Sequence, residues 1–209
     1  MNPQSIDFAS LLCSRLCHDL MSPVGALNNG LELLADEDDP GMRARCMELL
    51  GDSARASADK LKFFRLAFGA AGGFGEAIGA RDVRGVIEGL VRGNAKIALG
   101  WLVDAEQLSR SETRLLLNLV LIAFDALVRG GRLDVGVEQG DVVVRAEGAR
   151  LVLDGEVRGM LDGTATVPTS RSIGAALVRA VAEEERRAIQ LAETPGVLLL
   201  GASRPGGAA

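Results

Sequence analysis

Apolar residues recur near the start of the chain at Leu12, Leu16, Leu20, Val24, Leu27, Leu31 and Leu34. Their steps of three and four are the repeat of one helix face. The stripe stops at residues 35–41, ADEDDPG, an acidic turn in which Pro40 is placed to open the next helix. From there Met42, Cys46, Leu49, Leu50, Ala54, Leu61, Phe64 and Phe68 repeat the helical spacing. Two helices of about 27 residues, each about 40 Å long at 1.5 Å per residue and joined by so short a turn, lie antiparallel. A lone hairpin leaves part of each stripe open, so the pattern predicts a second copy and a homodimeric four-helix bundle.

Glycine then accumulates over residues 69–80, GAAGGFGEAIGA, which reads as a linker between a unit near 1–70 and a second near 77–209. Beyond it, helical and alternating patterns take turns. They predict a helix over 82–94, a strand over 96–103, a helix over 109–129, and a turn at Gly130 and Gly131. Strands over 132–138 and 141–146 follow, paired as a hairpin about Gly140. After an irregular segment come a helix over 170–185 and strands over 188–192 and 197–201. Helices set apart from mixed, mostly antiparallel strands make a two-layer α/β sandwich. The final RPGGAA is expected to lack fixed structure.

Composition narrows the functional classes. The 209 residues carry a net charge of −5, are 48% hydrophobic, and include 3% aromatic residues with no tyrosine. An acidic chain poor in aromatics lacks both the basic footprint and the stacking faces of a nucleic-acid binder. No apolar run approaches the roughly 20 residues of a membrane span, and the N-terminus shows no secretory pattern. Three cysteines, an odd number, suit a reducing cytosol, so a cytoplasmic protein is expected. Cys13 and Cys17, four apart, lie next to the only histidine, but three candidate ligands on one helix fall short of a metal site. They read as buried small side chains. Asp36, Asp38 and Asp39 lack the spacing of a calcium loop. Trp101 reads as core, and Glu183, Glu184, Glu185, Arg186 and Arg187 as a solvated helix end.

His18 is that only histidine. At 100° per residue it lies roughly 180° from the centre of the apolar stripe, so it faces solvent or a partner. Ser14, Ser22, Gly25 and Asn29 share its side of the helix, with Arg15 and Met21 on either flank. Position alone leaves open a solvated histidine without a role. The neighbouring chemistry favours more: an imidazole, with an ordinary pKa of about 6.5, is largely neutral at pH 7 and nucleophilic. Asp19 can accept from one ring nitrogen and leave Nε2 to attack. Pro23, one turn on, deprives the helix of a backbone donor, a choice that packing alone does not ask for.

The run HDLMSPVGALNNGLELL, residues 18–34, resembles the H-box of the histidine-kinase dimerisation and phosphotransfer domain. His18, Asp19, Leu20 and Pro23 stand at the motif positions. The resemblance implies a phosphorylatable His18, an acid/base or orienting role for Asp19, and a dimeric four-helix stem.

The second unit resembles the Bergerat-type ATP-binding domain of those kinases, with its working residues missing. Residues 114–127, RLLLNLVLIAFDAL, are similar to the N-box helix. Ile122 stands where the kinases carry a magnesium-ligating Asn, and Asn118 remains one turn earlier as a single polar group. Ala146 takes the place of the adenine-reading Asp, and Gly148 survives from the loop that follows. Gly174 keeps one glycine of the phosphate loop, and the lid is reduced to about residues 153–169. An isoleucine offers Mg²⁺ no oxygen. The whole is similar to ChpT-type histidine phosphotransferases, which share the kinase architecture and relay phosphoryl groups without binding ATP.

The resemblance implies a phosphorelay protein whose partners are the receiver domain of a hybrid histidine kinase and response-regulator receivers. Mg²⁺ is expected on the receiver and no cofactor on this chain. Leu11, Ser14, Arg15, Met21, Ser22 and Gly25 are expected to form the receiver docking surface, with Arg15 steering an acidic partner or a phosphoryl oxygen. Two other readings stand beside it: a divergent autophosphorylating kinase, and an adaptor that binds receivers or kinases without chemistry.

Overall fold

The computed structural model describes residues 3–69 and 77–204. The first two helices, α1 (Pro3–Ala35) and α2 (Pro40–Ala67), form the expected hairpin. Asp39 caps α2 by accepting from the Met42 N–H at 2.8 Å, and Pro40 follows at the first helical position. The seam between the helices is narrow. Leu12, Leu16, Leu20, Leu27 and Leu34 are half-buried, while Val24 and Leu31 of the same stripe stay 50% and 58% exposed. In α2 only Cys46, Leu50 and the closing turns, with Phe63, Phe64, Leu66 and Ala67, are buried.

The remaining elements are β1 (Ala77–Gly79), α3 (Ala80–Arg92), β2 (Ile97–Val103), β3 (Gln107–Ser109), α4 (Arg110–Ala126), β4 (Gly131–Glu138) and β5 (Asp141–Glu147). They are followed by α5 (Gly155–Asp162), α6 (Ile173–Glu184), β6 (Ala188–Thr194) and β7 (Val197–Ser203). Five strands form one sheet in the order β2-β4-β5-β7-β6; β2 and β4 run parallel and every other pair antiparallel. Alternate residues turn inward, namely Leu133, Val135 and Val137 of β4, Val142, Val144 and Ala146 of β5, and Leu198, Leu200 and Ala202 of β7. They meet α4, whose Leu115, Leu116, Leu117, Leu119 and Val120 are wholly buried. The architecture is the expected helical hairpin followed by a two-layer α/β sandwich.

Five expectations change. Within the supposed linker, residues 70–76 lie outside the described residues. Residues 77–79 form β1, antiparallel to β3, and Ala80 already opens α3. The segment expected to be irregular contains α5, capped by Asp154 and closed by Gly163 at φ 84°. Cys13 and Cys17 are exposed rather than buried, because they sit beside the leucine seam and not on it; Cys46 alone is buried. Arg187 at the supposed solvated helix end is buried, donating to the Gly140 carbonyl and lying 3.7 Å from Glu112. Arg204 of the tail is tied down, its N–H donating to Asp141 at 2.8 Å; residues 205–209 lie outside the described residues. Trp101 is half-buried against the core.

The hairpin does not end where the sandwich begins. Phe63 and Phe64 pack edge to face, and with Leu66 and Ala67 they belong to the same hydrophobic core as α3, α4 and the sheet. Asn118 of α4, fully buried, donates to the Ala67 and Arg114 carbonyls at 2.8 Å each. Arg92 of α3 pairs with Asp59 of α2 at 2.6 Å. Phe8, Leu11, Leu12 and Leu16 of α1 lean on the same core, so the start of α1 is fastened to the sandwich as well. No helix among the described residues is long and apolar enough to cross a membrane.

Candidate functional site

The site begins with a missing hydrogen bond. Pro23 lies inside α1 and has no N–H, so the carbonyl four residues back, that of Asp19, loses its helical donor. Lys60 of α2 replaces it, Nζ donating to the Asp19 carbonyl oxygen at 2.7 Å. The seam is thereby fixed beside His18, whose ring is 78% exposed. His18 Nδ1 lies 3.1 Å from Asp19 Oδ1. With Nδ1–H donating to that carboxylate, Nε2 is the nitrogen left with a free lone pair.

The other oxygen of Asp19 accepts from Arg15 Nε at 2.7 Å, one turn back on α1. Arg15 does not reach outward. Its side chain is only 14% exposed, and Nη2 donates at 2.6 Å to Oδ2 of Asp125, near the end of α4. Burial works against the Arg15 charge, but the carboxylates of Asp125 and Asp19 outweigh it and raise its pKa. For Asp125, withdrawal from water pushes the carboxyl above its ordinary range and Arg15 pulls it back. Nearly half of that side chain still meets solvent, which tempers the push. Asp125 of α4 and Arg15, Asp19 and His18 of α1 thus form a chain of contacts, with Lys60 of α2 at its side.

The residues expected to meet a receiver divide into two groups. Ser14, Ser22 and Gly25 are exposed, Met21 is 66% exposed, and Gly25 has open space where a Cβ would stand. These surround His18 as a shallow, small-residue surface. Leu11 is half-buried against the sandwich, and Arg15 is held between two carboxylates, so both face the second unit.

Behind Arg15 a cleft of about 290 Å³ opens along α4, lined among others by Ile122, Asp125, Val152, Asp154, Arg171 and Gly174. Two of its lining residues, Ile122 and Gly174, are ones that the resemblance set at nucleotide-binding positions, and the lining does not fit ATP and Mg²⁺. Ile122 gives no oxygen ligand. Asp125 is engaged with Arg15, and Asp154 accepts from the Glu156 N–H at 2.8 Å as the cap of α5. Ala146 is wholly buried in the sheet. Asn118, the polar group left from the N-box, is spent on tying α4 to α2. Even the surviving Gly148 has a packing reason, since a Cβ there would stand 2.7 Å from the Gly130 carbonyl oxygen and 3.0 Å from Leu127. No cluster of three or more metal-ligating side chains occurs among the described residues.

Residues 80–196 match the family described as histidine phosphotransferase C-terminal domain. The chain belongs to the histidine phosphotransferase family. The protein phosphotransferase ChpT of Brucella abortus (strain 2308) is 44% identical over 141 residues, 66% of this chain. The match spans just under two thirds, 64%, of that relative's length. A solved structure described as a bacterial phosphotransferase superposes with a TM-score of 0.84 at 32% identity, covering 97% of this chain and 98% of that one. The family match falls on the sandwich, including the α4 that carries Asp125, whereas His18 lies outside it.

Two members of this site are not evident from the sequence. Pro23 signals that some donor must serve the Asp19 carbonyl, but nothing local says that the donor is Lys60, 41 residues on. Asp125 is the lone charge between Arg114 and Arg129, in a stretch where Asn118 is the one other polar residue, a mark that could have drawn notice.

Proposed function

We propose that this protein carries phosphoryl groups between receiver domains on His18. The group comes from the aspartyl phosphate of a hybrid-kinase receiver and passes to response-regulator receivers. The observation that carries this reading is the state of His18, an exposed imidazole whose Nδ1 is engaged by Asp19 so that Nε2 remains as nucleophile.

The Nε2 lone pair attacks phosphorus in line with the aspartyl oxygen. An N–P bond forms as the P–O bond breaks, and the receiver regains its carboxylate. The ring becomes more acidic as its lone pair is used, and Asp19 stabilises the Nδ1–H that then carries positive charge. The second transfer is the reverse, with a new receiver carboxylate attacking the phosphohistidine. Such transfers demand positioning and charge neutralisation above all. The receiver supplies Mg²⁺, which neutralises the phosphoryl oxygens. This chain supplies the oriented nucleophile and a surface of small residues, Ser14, Ser22 and Gly25 with Met21, on which a receiver can sit close.

The contents of the cleft behind Arg15 support transfer without ATP. Exposed Val24, Leu31 and Leu33 on α1 and Met47 and Leu49 on α2 support closure of the hairpin by a second copy into a four-helix bundle. Three free thiols suit a reducing compartment, and we assign the protein to the cytoplasm.

The test is to mix the protein with a phosphorylated receiver and, separately, with labelled ATP. Acid-labile, base-stable phosphate on the wild type but not on His18→Ala, and from the receiver only, is the expected result. Labelling from ATP would make it a kinase. A protein that binds receivers but takes no label would be an adaptor.

A further inference from the structure

The reading of His18 as phosphoryl carrier leaves a question that the geometry answers: why a phosphotransferase that makes no use of a nucleotide keeps a sandwich against α1. We propose that Asp125 of the sandwich is a positioning residue for His18, acting through Arg15 and Asp19. This inference rests on the function proposed above and names a residue that neither the motif nor the resemblance pointed to.

One edge of the Arg15 guanidinium carries both contacts. Nε and Nη2 lie side by side on a planar group, an edge that can grip both oxygens of a single carboxylate. Here two carboxylates share it, Nε going to Asp19 Oδ2 at 2.7 Å and Nη2 to Asp125 Oδ2 at 2.6 Å. Because Asp125 occupies Nη2, Asp19 is held through one oxygen only. Its Oδ1 stays free to accept from His18 Nδ1 at 3.1 Å. Without Asp125, the whole edge becomes available to Asp19. The guanidinium then takes both oxygens, and Oδ1 turns from the ring.

The remaining contacts fix the frame in which this competition takes place. Lys60 holds the Asp19 main chain, so the carboxylate pivots about a fixed backbone. Asp125 stands on α4, which is anchored to the end of α2 by Asn118. Arg15 is itself mostly covered, so water competes weakly for its donors.

Because the chain has one histidine, a protein labelled with ¹⁵N-histidine yields a single imidazole, and a long-range ¹H–¹⁵N correlation spectrum reads which nitrogen carries the proton. In the wild type the proton is expected on Nδ1. In full-length Asp125→Ala it is expected to move to Nε2. The rate of phosphoryl acceptance at saturating phosphorylated receiver should fall about tenfold or more, with the receiver concentration for half-maximal rate unchanged. Asp125→Glu should restore much of both. Should the alanine variant fail to fold by circular dichroism, Asp125→Leu, near in size and without an acceptor, takes its place with the same readouts. A folded variant with the wild-type tautomer, or with the wild-type rate, overturns the proposal. If the wild type itself takes no phosphoryl group, the carrier function fails, whereas the tautomer comparison still decides whether Asp125 orients His18.

Discussion

Lys60 donates its ammonium proton to the carbonyl oxygen of Asp19, the acceptor that Pro23 has stripped of its helical partner. A defect in one helix is repaired by a side chain from the other, one residue away from His18. The repair explains why a proline is tolerated near the middle of a long helix, and it locks the register of α1 against α2 at that level.

Replacing Lys60 by Met keeps the aliphatic stem and removes the donor. The Asp19 carbonyl is then left to solvent, and stability should fall by about 1–2 kcal/mol, the range of a hydrogen bond from a charged donor. Pro23→Ala should act in the opposite direction, since the alanine N–H can serve the same carbonyl, and it should largely suppress the effect of Lys60→Met. Urea denaturation of the two single variants and the double variant measures this coupling. Additive effects would contradict it.

His18→Ala should leave stability within about 0.5 kcal/mol of the wild type, as expected at an exposed position, while abolishing phosphate uptake from a receiver. Thermal melts and a labelling assay on the same preparation separate the two. A large loss of stability would mean that the ring is part of the packing.

The Asp125 carboxyl is pushed above its ordinary range by withdrawal from water, with Arg15 opposing. A carboxyl with a folded pKa above its unfolded value of about 3.9 holds its proton more tightly when folded. Its contribution therefore favours the fold below that value and is lost as pH rises through the folded pKa. The stability of the wild type relative to Asp125→Asn should fall as pH rises above about 4, by a small amount because the side chain is half-exposed. Urea melts across the acid range test the sign, and a relative stability that grows with pH would refute it.

Gly148 should resist substitution for reasons of space. An alanine methyl would press on the Gly130 carbonyl oxygen and Leu127, so Gly148→Ala should cost about 1–3 kcal/mol with no effect on His18 chemistry beyond the loss of folded protein. Chemical denaturation together with the transfer rate per folded molecule provides the check.

Leu31 lies on the open stripe of α1 at 58% exposure. Leu31→Glu should leave the fold of one chain intact and convert a dimer to a monomer in light scattering. An unchanged molar mass would place the contact between copies elsewhere.

The parts of this molecule that could be read from sequence are those in which the signal is local and repeated. The leucine seam of α1, the Asp39–Pro40 start of α2 and the strand pair about Gly140 each announce themselves within a few residues. His18, Asp19, Leu20 and Pro23 do so by spacing. What escaped was set by distance or brevity. β1 and β3 are three residues each and exist only because they pair across the length of α3 and β2. In α5, eight residues are too few to be helical without burial of Val157, Met160 and Leu161, although the Asp154 cap and Gly163 did mark its ends. Helical phase alone places Arg15 beside the outward face. Its long side chain swings instead to a carboxylate 110 residues away, a preference that no wheel reports. The thiols of Cys13 and Cys17 erred in the other direction, because a narrow seam buries fewer positions than its stripe suggests.

The sharing of one core by the end of α2 and the sandwich also governs the order in which a newly made molecule becomes competent. The hairpin leaves the ribosome first, with Phe63 and Phe64 uncovered and the Ala67 carbonyl awaiting an amide 51 residues further along. Arg15 waits longer still, for a carboxylate synthesised 110 positions after it. The helix that bears His18 is thus made before α4 and completed only after it. A chain interrupted before α4 has its histidine but not the partner that Arg15 requires.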